Sequence, residues 1–417
     1  MADSRGRARA SIVPLGATAL GVALLIAAGV LLFQGREAGA GADDRIVLPP
    51  PPPPPPATAV AYEDFVGAET CGECHPDQFA EWRASTHGRA GGAPSPEIII
   101  APFDGTPIRF RDAVVTPERT ESGDYVFRVA WQGAPEQVLH VDGVVGGGHM
   151  VGGGTQGFLS RQPDGTVRFL PFDFSRQEGV WFCNTGTRLD EGWVPITSAM
   201  ALADCGDWPP TRVLGVEPRF GNCQQCHGSQ IQLRLDPAAA KYETRVRSLE
   251  INCESCHGPG REHVRLIRAG AAAGVRAGDV ADASGTEAPV TDLAIRTMTA
   301  LSKNESLELC FSCHALKDPL RPGYISGEPL EAHFSLKLPL LGDEALYPDG
   351  RIRTFAYQAN HLYSDCYLNG SMTCVDCHDP HSQEYRDVNG RPLASRFSNG
   401  QCLGCHPSKA EPFERHT

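Results

Sequence analysis

Six pentapeptides hold the reactive groups of this sequence: Cys71-Gly-Glu-Cys74-His75, Cys223-Gln-Gln-Cys226-His227, Cys253-Glu-Ser-Cys256-His257, Cys310-Phe-Ser-Cys313-His314, Cys374-Val-Asp-Cys377-His378 and Cys402-Leu-Gly-Cys405-His406. They use twelve of the fifteen cysteines. Two thiols three residues apart can add across the two vinyl groups of a haem, and the histidine that follows is placed to bind the iron axially. The competing use of paired C-x-x-C is a four-cysteine zinc knuckle, which has no need of a histidine after every second cysteine. Six histidines in six motifs favour haem. The sequence therefore predicts six covalently attached c-type haems with iron as the metal. His75, His227, His257, His314, His378 and His406 are the expected proximal ligands.

The second axial position decides what each iron does. A histidine there gives a low potential, a methionine raises it, and an open position admits a ligand and chemistry. Eight histidines stand outside the motifs: His87, His140, His149, His263, His333, His361, His381 and His416. His87 ends a short helix that begins at the first motif and can cross onto a haem. His263 follows Gly258-Pro259-Gly260, which turns the chain back over a neighbouring haem. His381 lies three residues beyond the proximal His378, cannot bind the same face of that iron, and is read as serving an adjacent haem. His149 and His361 complete the candidate set, with His333 weighed beside them; His140 reads as a core histidine in a strand-like run, and His416 as solvated. Met150, Met200, Met298 and Met372 are few, and Met372 reads as packing, so bis-His haems are expected to dominate. Of the remaining cysteines, Cys183 and Cys205 could form a disulfide in an oxidising compartment, leaving Cys366 free.

The elements that must position these groups are unevenly distributed. An arginine-bearing start, Arg5, Arg7 and Arg9, precedes an apolar run from Ser11 to Phe33 whose 23 residues could span a bilayer. Residues 1–33 are therefore expected to form an N-terminal transmembrane helix and membrane anchor. A cleavable signal is the alternative, since Ala38-Gly39-Ala40 resembles a processing site. The anchor would place the rest on the periplasmic side of the cytoplasmic membrane. Residues 34–61 read as a Pro-rich linker whose eight consecutive prolines, Pro49 to Pro56, would extend roughly 25 Å as polyproline II at about 3.1 Å per residue. Residues 62–417 form the predicted hexahaem domain. Within it, alternation in Asp124–Val129 and Thr166–Leu170 and the turn Asp164-Gly165 predict a small β-rich insertion over about 108–182. With aromatics at only 7% and 45 glycines and 34 prolines, a conventional core looks thin. The expected fold class is thus mainly α and coil, wrapped on a haem array. A net charge of −13 argues against nucleic acid as a partner and favours cationic or small soluble ones.

Three strings, Trp82-Arg-Ala-Ser-Thr-His87, Cys253-Glu-Ser-Cys-His-Gly-Pro-Gly260 with His263, and Met372-Thr-Cys-Val-Asp-Cys-His-Asp-Pro-His381-Ser, resemble the multihaem cytochromes c related to the tetrahaem hydroxylamine-pathway cytochrome of nitrifiers, a group that includes haem domains often fused to tetratricopeptide repeats. The resemblance runs from about Tyr62 to Pro407. It implies stacked haem pairs, mainly bis-His iron, electron transfer, and His87, His263 and His381 as distal ligands. The sequence departs from it by showing no C-terminal repeats and by adding the anchor and proline stalk. The expected function is that of an exported, membrane-anchored electron carrier working with redox partner proteins, such as other cytochromes or a membrane quinol oxidoreductase. Two alternatives are a reductase or oxidase of small nitrogen compounds (nitrite, hydroxylamine, nitric oxide) at one open haem, and a structural subunit of a respiratory or photosynthetic complex. No motif histidine is replaced by lysine, a change that would mark a catalytic haem, and no catalytic residue is assigned.

Overall fold

Alternating apolar residues build the largest ordered part of the chain. In the computed structural model the described residues are 60–147, 154–184, 188–189, 192–215, 226–272, 294–298, 301–337, 357–387, 389–393 and 398–410. All belong to the second of two compact units, Val60–Thr417; the first, Met1–Ala59, lies outside them. After the short helices Ala68–Gly72 and Pro76–Ala84 come ten strands: Gly91–Gly92 (β1), Ile108–Arg109 (β2), Ala113–Arg119 (β3), Tyr125–Trp131 (β4), Gln137–His140 (β5), Gly143–Val145 (β6), Thr155–Arg161 (β7), Val167–Phe169 (β8), Phe172–Ser175 (β9) and Val180–Cys183 (β10). One sheet runs β2-β3-β4-β5 and the other β1-β6-β7-β9-β10, with β8 paired to β7. Every pairing is antiparallel. The period of two brings Val115, Phe127 and Val129 into the core together with Phe158 and Phe172, all fully buried. Phe103 and Trp181 edge onto the same Phe127 and Phe158 rings at 5.0–5.9 Å, the tilted and edge-to-face geometries that aromatic quadrupoles favour.

Cys183 at the end of β10 is joined to Cys205 by a disulfide across 22 residues of sequence, and both sit in this aromatic core. Closing a loop of that length restricts the unfolded chain by about 3 kcal/mol. Replacing both cysteines by alanine is expected to lower the unfolding free energy of this region by about that amount. Urea denaturation followed by tryptophan fluorescence checks it; an unchanged midpoint would show that the crosslink does not constrain the unfolded chain.

Strands do not stop at the end of the predicted insertion. Ser229–Asp236 (β11) and Lys241–Ser248 (β12) form an antiparallel hairpin that pairs Ile231 with Val246 and Leu233 with Thr244. Ile231 and Val246 pack against Val167, Phe169 and Leu214 beside the second sheet. The turn at Asp164-Gly165 explains the close fit: Gly165 has φ +87°, and a Cβ there would lie 1.8 Å from the Tyr242 carbonyl. Only glycine can occupy that position.

The expectation of a mainly α and coil fold is therefore corrected. Among the described residues helix accounts for 24% and strand, in several antiparallel sheets, for 26%. The haem motifs suggest helix because each supplies one turn, but the helices around them are short, Glu254–His257, Arg261–Ala272, Lys303–Phe311, Tyr357–Leu362, Asp365–Leu368 and Gly400–Cys405. The membrane-anchored, periplasm-facing placement is corrected as well. Among the described residues no helix is long and apolar enough to cross a membrane. The stretches read as anchor (1–33) and as most of the proline linker (34–61) lie outside the described residues.

Candidate functional site

Each motif that lies wholly within the described residues closes one helical turn. The histidine N–H donates to the carbonyl of the first cysteine four residues back: His75 to Cys71 at 2.9 Å, His257 to Cys253 at 2.9 Å, His314 to Cys310 at 2.8 Å, His378 to Cys374 at 2.9 Å and His406 to Cys402 at 2.8 Å. Residues i, i+3 and i+4 share a helix face, so both thiols and the imidazole emerge on one side. Of the second motif, Cys226 and His227 are described and Cys223 is not.

Motifs distant in the chain meet through their sulfurs. Cys71 hydrogen-bonds with Cys253, Cys226 with Cys313 and Cys310 with Cys374. The Cys226 thiol also donates to the Cys313 carbonyl at 3.5 Å. These contacts involve five of the six motifs, and the Gln401 amide, beside the sixth motif, donates to the Cys377 carbonyl of the fifth at 3.2 Å.

Three motif histidines face a second imidazole. The ring centroids of His75 and His263 are 6.5 Å apart, those of His257 and His381 6.3 Å, and those of His87 and His314 6.0 Å. Two metal–nitrogen bonds of roughly 2.0 Å, each with roughly 1.1 Å from nitrogen to ring centre, add up to roughly 6.2 Å. The pairs are spaced for one metal atom between the rings, so the donor set fits haem iron.

The remaining sequence candidates are placed differently. His227 is turned toward the Ala90 carbonyl, and the His378 ring packs on Tyr385 with centroids 4.6 Å apart. His406 is exposed. Among the described residues none of these three stands opposite another imidazole. His361 donates through Nε2 to the Met372 carbonyl at 3.1 Å and lies against the Tyr367 ring. His333, fully buried, pairs through Nε2 with the Glu328 carboxylate at 2.8 Å. His149 and His416 lie outside the described residues, and His140 is an exposed residue at the end of β5.

Burial favours the neutral, metal-binding form of three of the paired rings, His87, His257 and His314. Burial, and then the neighbouring His314 and His227, push His87 down to about 4. Burial also lowers His257, against the opposing effect of its hydrogen bond to Arg296. That bond, from His257 Nδ1 to the Arg296 carbonyl at 2.7 Å, fixes the tautomer and leaves Nε2 as the ligand atom.

Comparison with known proteins adds little at this point. No family model matches the chain, and no curated protein does. Among solved structures, the crystal structure of an outer cell wall cytochrome, OcwA, is similar at a TM-score of 0.39 and 16% identity, over 83% of this chain and 62% of that one. The chain spans less than two thirds of that cytochrome's length, and a likeness at this level fixes neither cofactor nor activity.

Two supporting residues have no signature in the sequence. Gln383, at φ +57°, accepts through Oε1 from the His87 backbone N–H at 3.1 Å and donates through Nε2 to the His381 carbonyl at 2.8 Å. One side-chain amide thereby ties together the segments that carry two facing histidines. Glu254, an unremarked variable position inside the third motif, is buried at 2% exposure and accepts three backbone hydrogen bonds. An i, i+3 or i+4 pattern cannot reveal either, because both act on backbone far away in the chain.

Proposed function

We propose that this chain is a multihaem c-type cytochrome whose six motifs hold six haems and whose role is electron transfer, mainly through bis-His iron. The observation that carries the reading is the set of three facing histidine pairs, each joining a motif histidine to one of His87, His263 and His381 at the spacing of an axial pair. Cys71 with Cys74, Cys226, Cys253 with Cys256, Cys310 with Cys313, Cys374 with Cys377, and Cys402 with Cys405 would hold the macrocycles through thioethers, with Cys223 completing the second motif. Bound haem supplies a one-electron couple at low potential when both axial ligands are imidazoles. The chain's own part is to bring the motifs within contact of one another, to favour by burial the neutral form of His87, His257 and His314, and to orient His257 through the Arg296 carbonyl. The strings shared with the hydroxylamine-pathway group support the same reading, and the Cys183–Cys205 disulfide suits the oxidising compartment in which covalent haem is attached. Redox proteins are the partners this role requires.

The test is haem quantitation and low-temperature EPR of the oxidised holoprotein, before and after adding nitrite, hydroxylamine and nitric oxide. Six haems per chain with low-spin signals that the additions leave unchanged are expected. A preparation that carries zinc or no covalent haem overturns the proposal. A high-spin component that shifts on addition identifies an open iron and moves small-nitrogen-oxide chemistry ahead of electron carriage.

A further inference from the structure

We propose that Glu254 is a positioning residue that holds His263 opposite His75. The inference rests on the haem reading above and names a residue that this reading leaves without a role. Glu254 sits between Cys253 and Cys256. Its Oε2 accepts from Gly67 N at 2.8 Å, and its Oε1 accepts from both Val66 N and Gly260 N at 2.8 Å. Val66 and Gly67 immediately precede the helix Ala68–Gly72 that opens the first motif. Gly260 immediately precedes the helix Arg261–Ala272 that carries His263. One buried carboxylate therefore grips the start of the helix that leads through Cys71 to His75, whose N–H donates to the Cys71 carbonyl, and the start of the helix that bears His263.

Charge-assisted bonds to buried backbone N–H groups are strong because the donors lose their water and have no other partner. Apart from the contact between Cys71 and Cys253, the neighbouring ties are arginine contacts at or near the surface: Arg268 to Glu73 at 2.9 Å, Arg245 to Glu63 at 2.7 Å, Arg261 to Asp64 at 3.8 Å and to the Glu63 carbonyl, and Arg247 to the Tyr62 carbonyl at 3.5 Å. Solvent screening makes such pairs weak, so they cannot replace the carboxylate. The fit is also tight. A Cβ on Gly260 would meet Glu254 Oε1 at 3.2 Å and Val66 Cγ2 at 3.1 Å. Trp82 adds an independent bond to the same region, from Nε1 to the Ile251 carbonyl at 2.7 Å, but it touches neither segment that Glu254 holds. Both motif cysteines that meet here, Cys71 and Cys253, lie within the electrostatic reach of Glu254, as expected for a group at the junction itself.

The experiment is EPR with haem quantitation on the full-length holoprotein, comparing wild type with Glu254→Gln, His263→Ala and the double variant. Glu254→Gln is expected to turn one haem of six high-spin, with the signal shape of His263→Ala, and the double variant to show no more high-spin haem than His263→Ala alone. Full low-spin content in Glu254→Gln, or high-spin signal spread over several haems, would overturn the proposal, since general loosening has no reason to select one iron. Should Glu254→Gln yield no holoprotein, Gly260→Ala, which crowds the same carboxylate oxygen, is read by the same criterion. Failure of the underlying reading looks different: wild type without covalent haem removes the function itself, and His263→Ala with unchanged spectra removes the His75–His263 pairing.

Discussion

Produced without haem attachment, the full chain is expected to keep a folded β region over about 91–214 and 229–248 while residues 252–410 lose their protection against proteases. The buried apolar side chains explain the asymmetry. The two clusters in the β region contain Phe127, Phe158, Phe172, Leu159 and Leu170 among many others at or near zero exposure. Among the described residues beyond 252, the remaining cluster has Leu307, Phe311, Ala315, Leu330 and Phe334 as its buried members. Ordering each residue costs about 1–2 kcal/mol of conformational entropy, and five side chains cannot offset that over a region of this length. Haem macrocycles inserted among the motif sulfurs would supply the missing apolar contact, so binding free energy would appear as folding free energy. Limited proteolysis with mass spectrometry, on the chain with and without covalent haem, checks this. Equal protection of 252–410 in both forms would mean that the motif region folds on its own side chains.

Replacing His87 by methionine is expected to raise the potential of one haem by on the order of 0.1 V, inside the roughly 0.8 V range that axial ligands span, while leaving that haem low-spin. The His87 ring faces His314 at 6.0 Å, and its backbone is held by Gln383. An unbranched thioether can therefore occupy the same place while donating less electron density to ferric iron. Potentiometric titration followed in the visible region should show one component displaced upward and the others unmoved. Identical curves for wild type and His87→Met would exclude His87 as an axial ligand.

The six motifs were legible in the sequence because their spacing is local. A thioether pair and an adjacent imidazole must fit one porphyrin edge, and one helical turn provides that fit, so the C-x-x-C-H spacing is at once chemical and conformational. Strands were legible where apolar residues alternate, as in β4. The same signal runs through Ile231, Leu233 and Leu235 in β11, yet the density of motifs around it drew the reading toward helix and coil. β1 could not have been read at all. Gly91 and Gly92 carry no side-chain pattern, and they pair with Val145 and Val144 only because the fold brings those strands together.

The sequence by itself determined the six C-x-x-C-H motifs, the haem attachment proposed for them and the short list of histidines outside them. Tertiary structure alone decided that His263 faces His75, that His381 faces His257 and that His87 faces His314. It alone also revealed the buried grip of Glu254. The physical reason is range: the C-x-x-C-H spacing is set within one helical turn, whereas each facing pair joins residues far apart in the chain, whose approach depends on how sheets, turns and buried backbone hydrogen bonds pack together.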